Sequence, residues 1–271
     1  MVTELIEKKL QDSKKVIAEA FDKYLPGELA LAFTGGKDST LCLYIVHQYC
    51  REKGLPMPPC FNIDEGDMFE EVVAYNKEME GLYDFKLEYI HNSDVSKAAG
   101  GVLGNPVRVA DLNDLNRAEI ERLGYEEDEF PYEPESFVGN HLMKTVTLNE
   151  YLVKNSVKAF IEGIRWDEAG SRANETYFSP RAGTKYSPEH MRVCPILHFT
   201  ERDVWDAFHQ LDIPICELYR QGYRSLGAKI TTKKLTDVPA WEQDLENTTE
   251  RGGRRQDKEH LMAKLRELGY M

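Results

Sequence analysis

Residues suited to binding a phosphate group are concentrated between Phe33 and Ser39. This run reads Phe33, Thr34, Gly35, Gly36, Lys37, Asp38 and Ser39. Adjacent glycines let the backbone come close to a ligand and adopt positive φ angles, and lysine adds a mobile positive charge. Asp38 can orient Lys37 or help to hold Mg²⁺. The run therefore predicts a phosphate-binding turn, although an ordinary Gly-Gly turn with a solvated lysine is the plainer alternative.

A second concentration of charge lies between Arg165 and Arg172 and includes Asp167 and Glu168. Arginine matches phosphate or sulfate with two parallel hydrogen bonds, and the carboxylates can bind Mg²⁺. A network of ion pairs on the surface is the alternative interpretation. Arg181, a little further along the chain, is a candidate for an additional guanidinium group at the same site.

The elements around these residues predict where they lie. The apolar run 29–32 predicts a buried strand before the glycines, and residues 40–46 predict a helix after them. Further strands are predicted at 60–64, 85–90 and 157–163, with helices over 68–79 and 141–154. This alternation predicts an α/β fold with a parallel, doubly wound, Rossmann-like sheet flanked by helices.

Ligands of such sheets bind at the carboxyl ends of the strands. Asp64 follows the second predicted strand, at the level of the glycine turn, where a carboxylate suits a ribose hydroxyl or a base amino group. An aspartate that only shapes the turn is the alternative. The Arg165 cluster follows a later strand, so we expect both to face the same edge of the sheet.

The rest of the chain carries less chemistry. We interpret residues 91–140 as an insertion or lid within a domain of residues 1–215, followed by an extension of residues 216–271. Residues 190–196 predict a strand, at the sheet edge because of Pro195, and Thr200 predicts the cap of a helix that buries Trp205 and Phe208. The extension contains a Gly/Arg segment at 248–255 and a final helix at 257–268.

Composition excludes several classes of protein. The chain has 271 residues and a net charge of −13, which argues against general binding to nucleic acids or membrane surfaces. We expect no membrane span and no signal peptide, because no apolar run approaches about 20 residues and the N-terminus lacks a basic region and an apolar core. Five cysteines without a Cys-x-x-Cys pair indicate a reducing cytoplasm rather than disulfides or a zinc or iron–sulfur knuckle.

The run from Thr34 to Ser39 resembles the pyrophosphate-binding loop (PP-loop) of the adenine nucleotide α-hydrolases, usually Ser-Gly-Gly-Lys-Asp-Ser. The resemblance implies that the loop holds the β- and γ-phosphates of ATP while the bond between the α- and β-phosphates is cut. It also implies nucleotide-binding roles for residues 33–39, for Asp64 near the adenosine, and for Gly163.

Later segments resemble the PAPS reductase-like family and, within it, the small subunit of bacterial sulfate adenylyltransferase. These segments are residues 163–172, 192–205, 223–227, 249–254 and 269–270, in the same order as in that family. The chain departs from its pattern at Trp166, where a second arginine is usual, and at Gly253, where a glutamine is usual. The connection from Leu218 to Tyr223 is also much shorter.

This resemblance implies transfer of the adenylyl group of ATP to a small anion, with sulfate favoured, as in sulfate assimilation. It implies ATP and Mg²⁺ as cofactors and a GTPase large subunit as a partner, and we also expect that the chain can form a homo-oligomer. The implied catalytic residues are Lys37, Arg165, Asp167 and Arg172. The implied acceptor-binding residues are Arg165, Arg172, Arg181, Arg251 and Arg254, and the implied metal ligands are Asp38 and Asp167.

Four alternatives remain. A PAPS or APS reductase needs a nucleophilic cysteine, usually in a C-terminal tail, whereas the last cysteine here is Cys216. FMN adenylyltransferase, which makes FAD, shares the superfamily fold but needs a flavin pocket. An RNA-thiolating enzyme is disfavoured by the acidic charge and the absence of cysteine pairs. A non-catalytic nucleotide-binding subunit would retain the fold without turnover.

Overall fold

The computed structural model describes residues 2–168, 170–184 and 187–253. Its strands are β1 (Leu29–Ala32), β2 (Cys60–Ile63), β3 (Leu87–Ile90), β4 (Pro106–Arg108), β5 (Glu129–Pro131), β6 (Ala159–Ile161), β7 (Phe178–Arg181) and β8 (His190–Val193). Its α-helices are α1 (Glu4–Lys23), α2 (Lys37–Lys53), α3 (Glu70–Tyr83), α4 (Ser93–Ala98), α5 (Asp114–Arg122), α6 (Phe137–Asn140), α7 (Thr147–Lys154), α8 (Glu201–Gln210) and α9 (Glu217–Arg220). A π-helical segment, His141–Val146, joins α6 to α7.

The central sheet has six strands in the order β3-β2-β1-β6-β8-β7. All of its neighbouring strands run parallel except β7, which pairs antiparallel with β8. The predicted parallel α/β sheet flanked by helices is therefore confirmed. Two details of the prediction were wrong. The strand predicted at the sheet edge is β8, which lies between β6 and β7, and the edge is β7, a strand that the sequence analysis did not predict.

Alternating side chains of the strands pack on opposite faces of the sheet. Leu29 and Leu31 belong to the larger hydrophobic core, which also contains residues of α1, α2 and α8. Ala30 belongs to a smaller cluster on the other face, together with Tyr151 and Leu152 of α7. As predicted, Thr200 caps α8, through a reciprocal capping box with Asp203.

The region 91–140, predicted as an insertion, has its own hydrophobic cluster, in which Val107, Ile120 and Phe130 are buried together with residues as far as Val146. The strands β4 and β5 form an antiparallel pair within it. The insertion touches the loop that follows β2, because a Cβ atom on Gly66 would lie 2.8 Å from the Tyr132 hydroxyl oxygen. The insertion is thus built beside the predicted nucleotide edge of the sheet.

The described part of the C-terminal extension packs against the main domain. Cys216, Leu218, Tyr219 and Ala240 are buried in the larger hydrophobic core, and residues 250–253 form a 3₁₀ turn. The final helix predicted at 257–268 and Arg254 lie outside the described residues. The domain boundary at residue 215 stays a prediction. Among the described residues, no helix has the length and apolar character needed to cross a membrane.

Candidate active site at the carboxyl ends of the strands

The glycine turn connects β1 to α2, as predicted, and brings the first residues of α2 to the carboxyl edge of the sheet. Gly36 is the N-cap of α2, which begins at Lys37. Gly35 has a φ angle of +76°, and a Cβ atom there would lie 2.4 Å from the Asn76 Oδ1 atom. A glycine is therefore required by both the backbone conformation and the space.

Gly163 follows β6 and packs directly against the start of α2. A Cβ atom on Gly163 would lie 2.5 Å from the backbone carbonyl carbon of Asp38 and 2.6 Å from the backbone nitrogen of Ser39. This close approach carries Arg165, two residues further on, to the N-terminus of α2. The predicted phosphate-binding turn and the predicted charged cluster therefore meet at one place.

Lys37 is buried, with 1% of its side chain exposed, and it forms ion pairs with two carboxylates. Its Nζ atom lies 3.1 Å from Asp38 Oδ2 and also contacts Glu250 Oε1. Burial alone would lower the pKa of Lys37, but the charges of Asp38 and Glu250 raise it above its ordinary value. Its backbone N–H donates to the Tyr219 hydroxyl oxygen at 2.8 Å.

Arg165 is fully buried and pairs with three carboxylates, those of Asp38, Asp167 and Glu250. Its Nε atom lies 2.8 Å from Asp167 Oδ1, and its Nη2 atom lies 2.5 Å from Glu250 Oε2. Burial would lower the pKa of this guanidinium, but the surrounding carboxylates raise it well above the ordinary value. Arg165 is thus a permanent cation at the centre of the site.

Glu250 is a central residue of the site that was not predicted from the sequence. Its two carboxylate oxygens bridge Lys37 Nζ and Arg165 Nη2, and only 10% of its side chain is exposed. Burial would raise the pKa of Glu250, but the charges of Lys37 and Arg165 and their hydrogen bonds lower it to about 2. The signal was present in the sequence, since Glu250 lies in the segment 249–254 that supported the resemblance, but only its arginines were assigned roles.

Two further residues that were not predicted from the sequence, Glu201 and Arg224, support the charged cluster around Arg165. The backbone N–H of Glu201, at the start of α8, donates to Asp167 Oδ2 at 2.6 Å. The buried Arg224 pairs with the Glu201 carboxylate at 2.8 Å. The start of α8 and the C-terminal extension therefore hold Asp167 in position.

The remaining predicted nucleotide-binding residues also lie at the carboxyl edge of the sheet, and they differ in burial and in hydrogen-bond partners. Phe33 is buried in the core, edge to face with Phe85 at a centroid distance of 5.8 Å, so only its backbone can face a ligand. The backbone N–H of Thr34 donates to the Ser39 hydroxyl oxygen at 3.2 Å. Asp64 is half-buried, and its Oδ1 atom accepts from the backbone N–H of Gly66 at 2.8 Å, which is the turn-shaping contact.

The predicted acceptor arginines do not all lie in one group. Arg172 pairs with Glu168, whose carboxylate also accepts from the Arg165 backbone N–H at 3.0 Å, so Arg172 adjoins the site. Arg181 lies on the edge strand β7 and pairs at 2.6 Å with Glu175, in a separate ion-pair group. Arg251 lies beside Glu250 in the same 3₁₀ turn, and Arg254 lies outside the described residues.

The carboxylates predicted to bind Mg²⁺ are already engaged. The two oxygens of Asp38 accept from Arg165 and Lys37, and the two oxygens of Asp167 accept from Arg165 and the Glu201 backbone N–H. Within residues 2–168, 170–184 and 187–253, no group of three or more His, Cys, Asp or Glu side chains is arranged to hold a metal ion. In this arrangement the two aspartates do not fit a preformed Mg²⁺ site.

The depressed pKa of Glu250 predicts a pH dependence of stability. A carboxylate whose pKa falls on folding stabilises the native state above its unfolded pKa, and this contribution is lost as the pH falls towards the folded pKa. We therefore expect the native chain to be more stable than Glu250→Gln by up to roughly 3 kcal/mol above about pH 5, and the difference to shrink towards pH 2. Urea unfolding of both chains across this range measures it. A difference that does not change with pH would contradict the prediction.

Comparison with known proteins identifies the family. The family model described as the phosphoadenosine phosphosulfate reductase domain matches residues 28–234. This match spans most of the chain and includes the glycine turn, Arg165 and Arg224. The chain belongs to the phosphoadenosine phosphosulfate reductase domain family. The predicted resemblance to the PAPS reductase-like family is thereby confirmed.

Proteins named for two different activities are similar to the chain. A probable FAD synthase of Caenorhabditis elegans is 26% identical over 230 residues, which cover 83% of this chain and 34% of that protein. Sulfate adenylyltransferase subunit 2 of Rhizobium tropici is 28% identical over 203 residues, which cover 68% of this chain and 58% of that protein. The chain thus spans between a third and three fifths of the lengths of these relatives.

Solved structures share the fold of this chain. The crystal structure of Candida glabrata FMN adenylyltransferase superposes with a TM-score of 0.64 at 18% identity, covering 94% of this chain and 89% of that one. This similarity confirms the α/β architecture.

Proposed function

We propose that this chain is an ATP-dependent adenylyltransferase that releases pyrophosphate. The proposal depends chiefly on one observation: Lys37 and Arg165 are spaced so that the two oxygens of a single carboxylate, that of Glu250, bridge them. Two buried cations that share one anion at the N-terminus of a helix form a site for a phosphate chain. The PP-loop and the family membership support ATP as the source of that chain.

The proposed mechanism uses positioning and electrostatics. The N-terminus of α2 and Lys37 would hold the β- and γ-phosphates of ATP, while Arg165 would neutralise negative charge that develops as the bond from the α-phosphorus to the leaving oxygen breaks. An anionic acceptor would attack the α-phosphorus in line, and pyrophosphate would leave. No covalent intermediate on the protein is required.

Sulfate is the acceptor that the sequence motif favours. The stretch from Gly163 to Arg172 is the part of the site that resembles the small subunit of sulfate adenylyltransferase, and Arg172 lies next to Arg165 through their shared partner Glu168. A sulfate ion beside Arg172 would face the α-phosphorus. A GTPase large subunit would then be the partner that drives formation of the high-energy product, and this partner is part of the proposal.

FMN is a second candidate, and a cavity favours it. A cavity of about 400 Å³ lies within the C-terminal extension and reaches Glu250, and its wall includes Arg224, Leu235 and Val238. This volume lies in the range of pockets that bind organic ligands, and it exceeds what an inorganic anion needs. The FAD synthase relatives, whose similarity extends over 83% of the chain, support the same acceptor.

Reductase chemistry is not favoured by the described structure. All of the cysteines are buried, and burial raises the pKa of Cys216 to about 11 and that of Cys60 to about 12. A buried thiol with a raised pKa is a poor nucleophile. An adenylyltransferase does not need one.

A panel of acceptors tests the proposal. The purified chain is incubated with ATP and Mg²⁺, together with sulfate, FMN or no acceptor, and pyrophosphate release is measured with and without a GTPase large subunit. We expect release that depends on one of the two anions. Release with FMN alone would reject sulfate. ATP binding without turnover under every condition would reject the enzyme and favour a non-catalytic nucleotide-binding subunit.

A further inference from the structure

The anion-binding groups of the site are already occupied by parts of the same chain. Glu250 pairs with Lys37 and Arg165, and the Tyr219 hydroxyl oxygen accepts the backbone N–H of Lys37 at the start of α2. Both residues belong to the C-terminal extension, 213 and 182 positions away from Lys37 along the chain. The extension therefore covers the side chain and the backbone donor that the proposed function assigns to phosphate.

The segment that carries Glu250 is attached at its two ends. At one end, Arg224 donates to the backbone carbonyl oxygen of Thr248 at 3.2 Å. At the other end, the backbone N–H of Lys233 donates to the carbonyl oxygen of Gly253 at 2.9 Å. The approach at Gly253 is so close that a Cβ atom there would lie 2.1 Å from the Lys233 carbonyl oxygen. Between these ends, the short turn 250–253 presents Glu250 to the two cations.

Glu250 and a phosphate chain cannot both pair with Lys37 and Arg165 at the same time, because both are negatively charged. The cations Lys37, Arg165 and Arg172 already face the carboxylates of Asp38, Asp167, Glu168 and Glu250. A pyrophosphate group placed between Lys37 and Arg165 would meet the Glu250 carboxylate within hydrogen-bonding distance of the same nitrogens. Like charges at such separations repel strongly in a buried site.

We propose that Glu250 is an internal competitor of the phosphate chain, and that the turn 250–253 must move away from Lys37 and Arg165 when ATP or pyrophosphate binds. This inference rests on the proposed function and extends it to an autoinhibited free state. In that state the carboxylate keeps the two buried cations paired, and the extension closes the site. Binding of the polyanion replaces one bidentate anion with another and releases the turn.

The direction in which Glu250→Gln changes the affinity for pyrophosphate distinguishes a competitor from a residue that only supports the site. Glu250→Gln keeps the shape but removes the negative charge, so a competitor predicts that inorganic pyrophosphate binds about tenfold or more tightly to the variant than to the native chain, as expected when the binding-competent fraction rises. If Glu250 instead positions the cations for phosphate, the same variant must bind more weakly. Isothermal titration calorimetry with pyrophosphate on the full chain measures the affinity.

Glu246→Gln is the matched control, because Glu246 lies in the same extension and pairs with the exposed Arg202, so its loss removes an equal charge away from the site. Tyr219→Phe is a second variant, which frees the Lys37 N–H without altering a charge, and we expect it to bind pyrophosphate about twofold or more tightly. Circular dichroism establishes that each variant is folded.

The outcomes separate the inference from the proposed function. Tighter binding to Glu250→Gln, with Glu246→Gln unchanged, supports the internal competitor. Equal or weaker binding to Glu250→Gln overturns it and leaves adenylyl transfer to be judged by the acceptor panel. If pyrophosphate binds to none of the folded chains, both the inference and the proposed phosphate site are rejected. If Glu250→Gln does not fold, equal or weaker binding to Tyr219→Phe overturns the inference.

Discussion

Replacing Lys37 with alanine is expected to lower acceptor-dependent pyrophosphate release by at least about 10²–10³-fold, the usual effect of removing one group that stabilises transition-state charge. Lys37 is the cation at the N-terminus of α2, and its ammonium group already holds an anion, the Glu250 carboxylate. Without it, Arg165 alone would neutralise the leaving pyrophosphate. Initial rates of the native and variant chains at saturating ATP measure the effect.

The control for this variant must separate catalysis from folding. Lys15→Ala removes an exposed lysine that pairs with the exposed Asp12 on the same helix, α1, so we expect it to change neither rate nor fold. Removing one partner of a buried ion pair commonly costs roughly 3–5 kcal/mol, so the rate of Lys37→Ala is compared at a temperature where circular dichroism shows a native spectrum. A folded Lys37→Ala chain that keeps more than a tenth of the native rate would contradict the assigned role.

The second large effect is expected at Gly163. An alanine there would place its Cβ atom 2.5–2.6 Å from the backbone atoms of Asp38 and Ser39, and backbone cannot move aside as a flexible side chain can. The end of β6 and the start of α2 would have to separate. We expect a loss of about 1–3 kcal/mol in the free energy of unfolding, and a fall of about 100-fold in rate, because displacements near 1 Å at a catalytic group have effects of that size.

Gly81→Ala is the matched control for Gly163→Ala. Gly81 lies inside α3, and a Cβ atom there would meet nothing within 4 Å. The same chemical change is therefore expected to stabilise the chain by about 0.4–1 kcal/mol. Urea unfolding and initial rates are measured for both variants. Equal stability changes at the two positions would show that the contact between β6 and α2 is looser than the structure indicates.

Local patterns in the sequence were enough to predict one half of the site. The glycine turn is specified by its own residues and by the strand and helix beside it, and Arg165 follows a strand that the apolar run predicts. Since parallel strands end at one edge, the meeting of Lys37 and Arg165 could be inferred before any coordinates.

The other half of the site could not be predicted, because it depends on contacts between distant parts of the chain. Glu250 reaches Lys37 across 213 positions, and nothing in its immediate surroundings indicates burial. The arginines of the C-terminal segment predicted that it would supply positive charge, whereas the group that contacts Lys37 and Arg165 is the Glu250 carboxylate. Similarly, β7 was missed because this short strand contains a proline and, among the described strands, pairs with β8 alone.

The proline in β7 has a consequence for assembly. Pro180 stands opposite Met191 of β8, and the backbone N–H of Met191 points the other way, to the Lys158 carbonyl oxygen beside β6. In an antiparallel pair of this kind, the backbone groups of Pro180 face away from β8, so the missing N–H leaves a gap on the outer rim of the sheet. A strand from a second molecule would find no donor there. The missing donor therefore weakens any pairing of β7 with a strand of a second molecule at this rim.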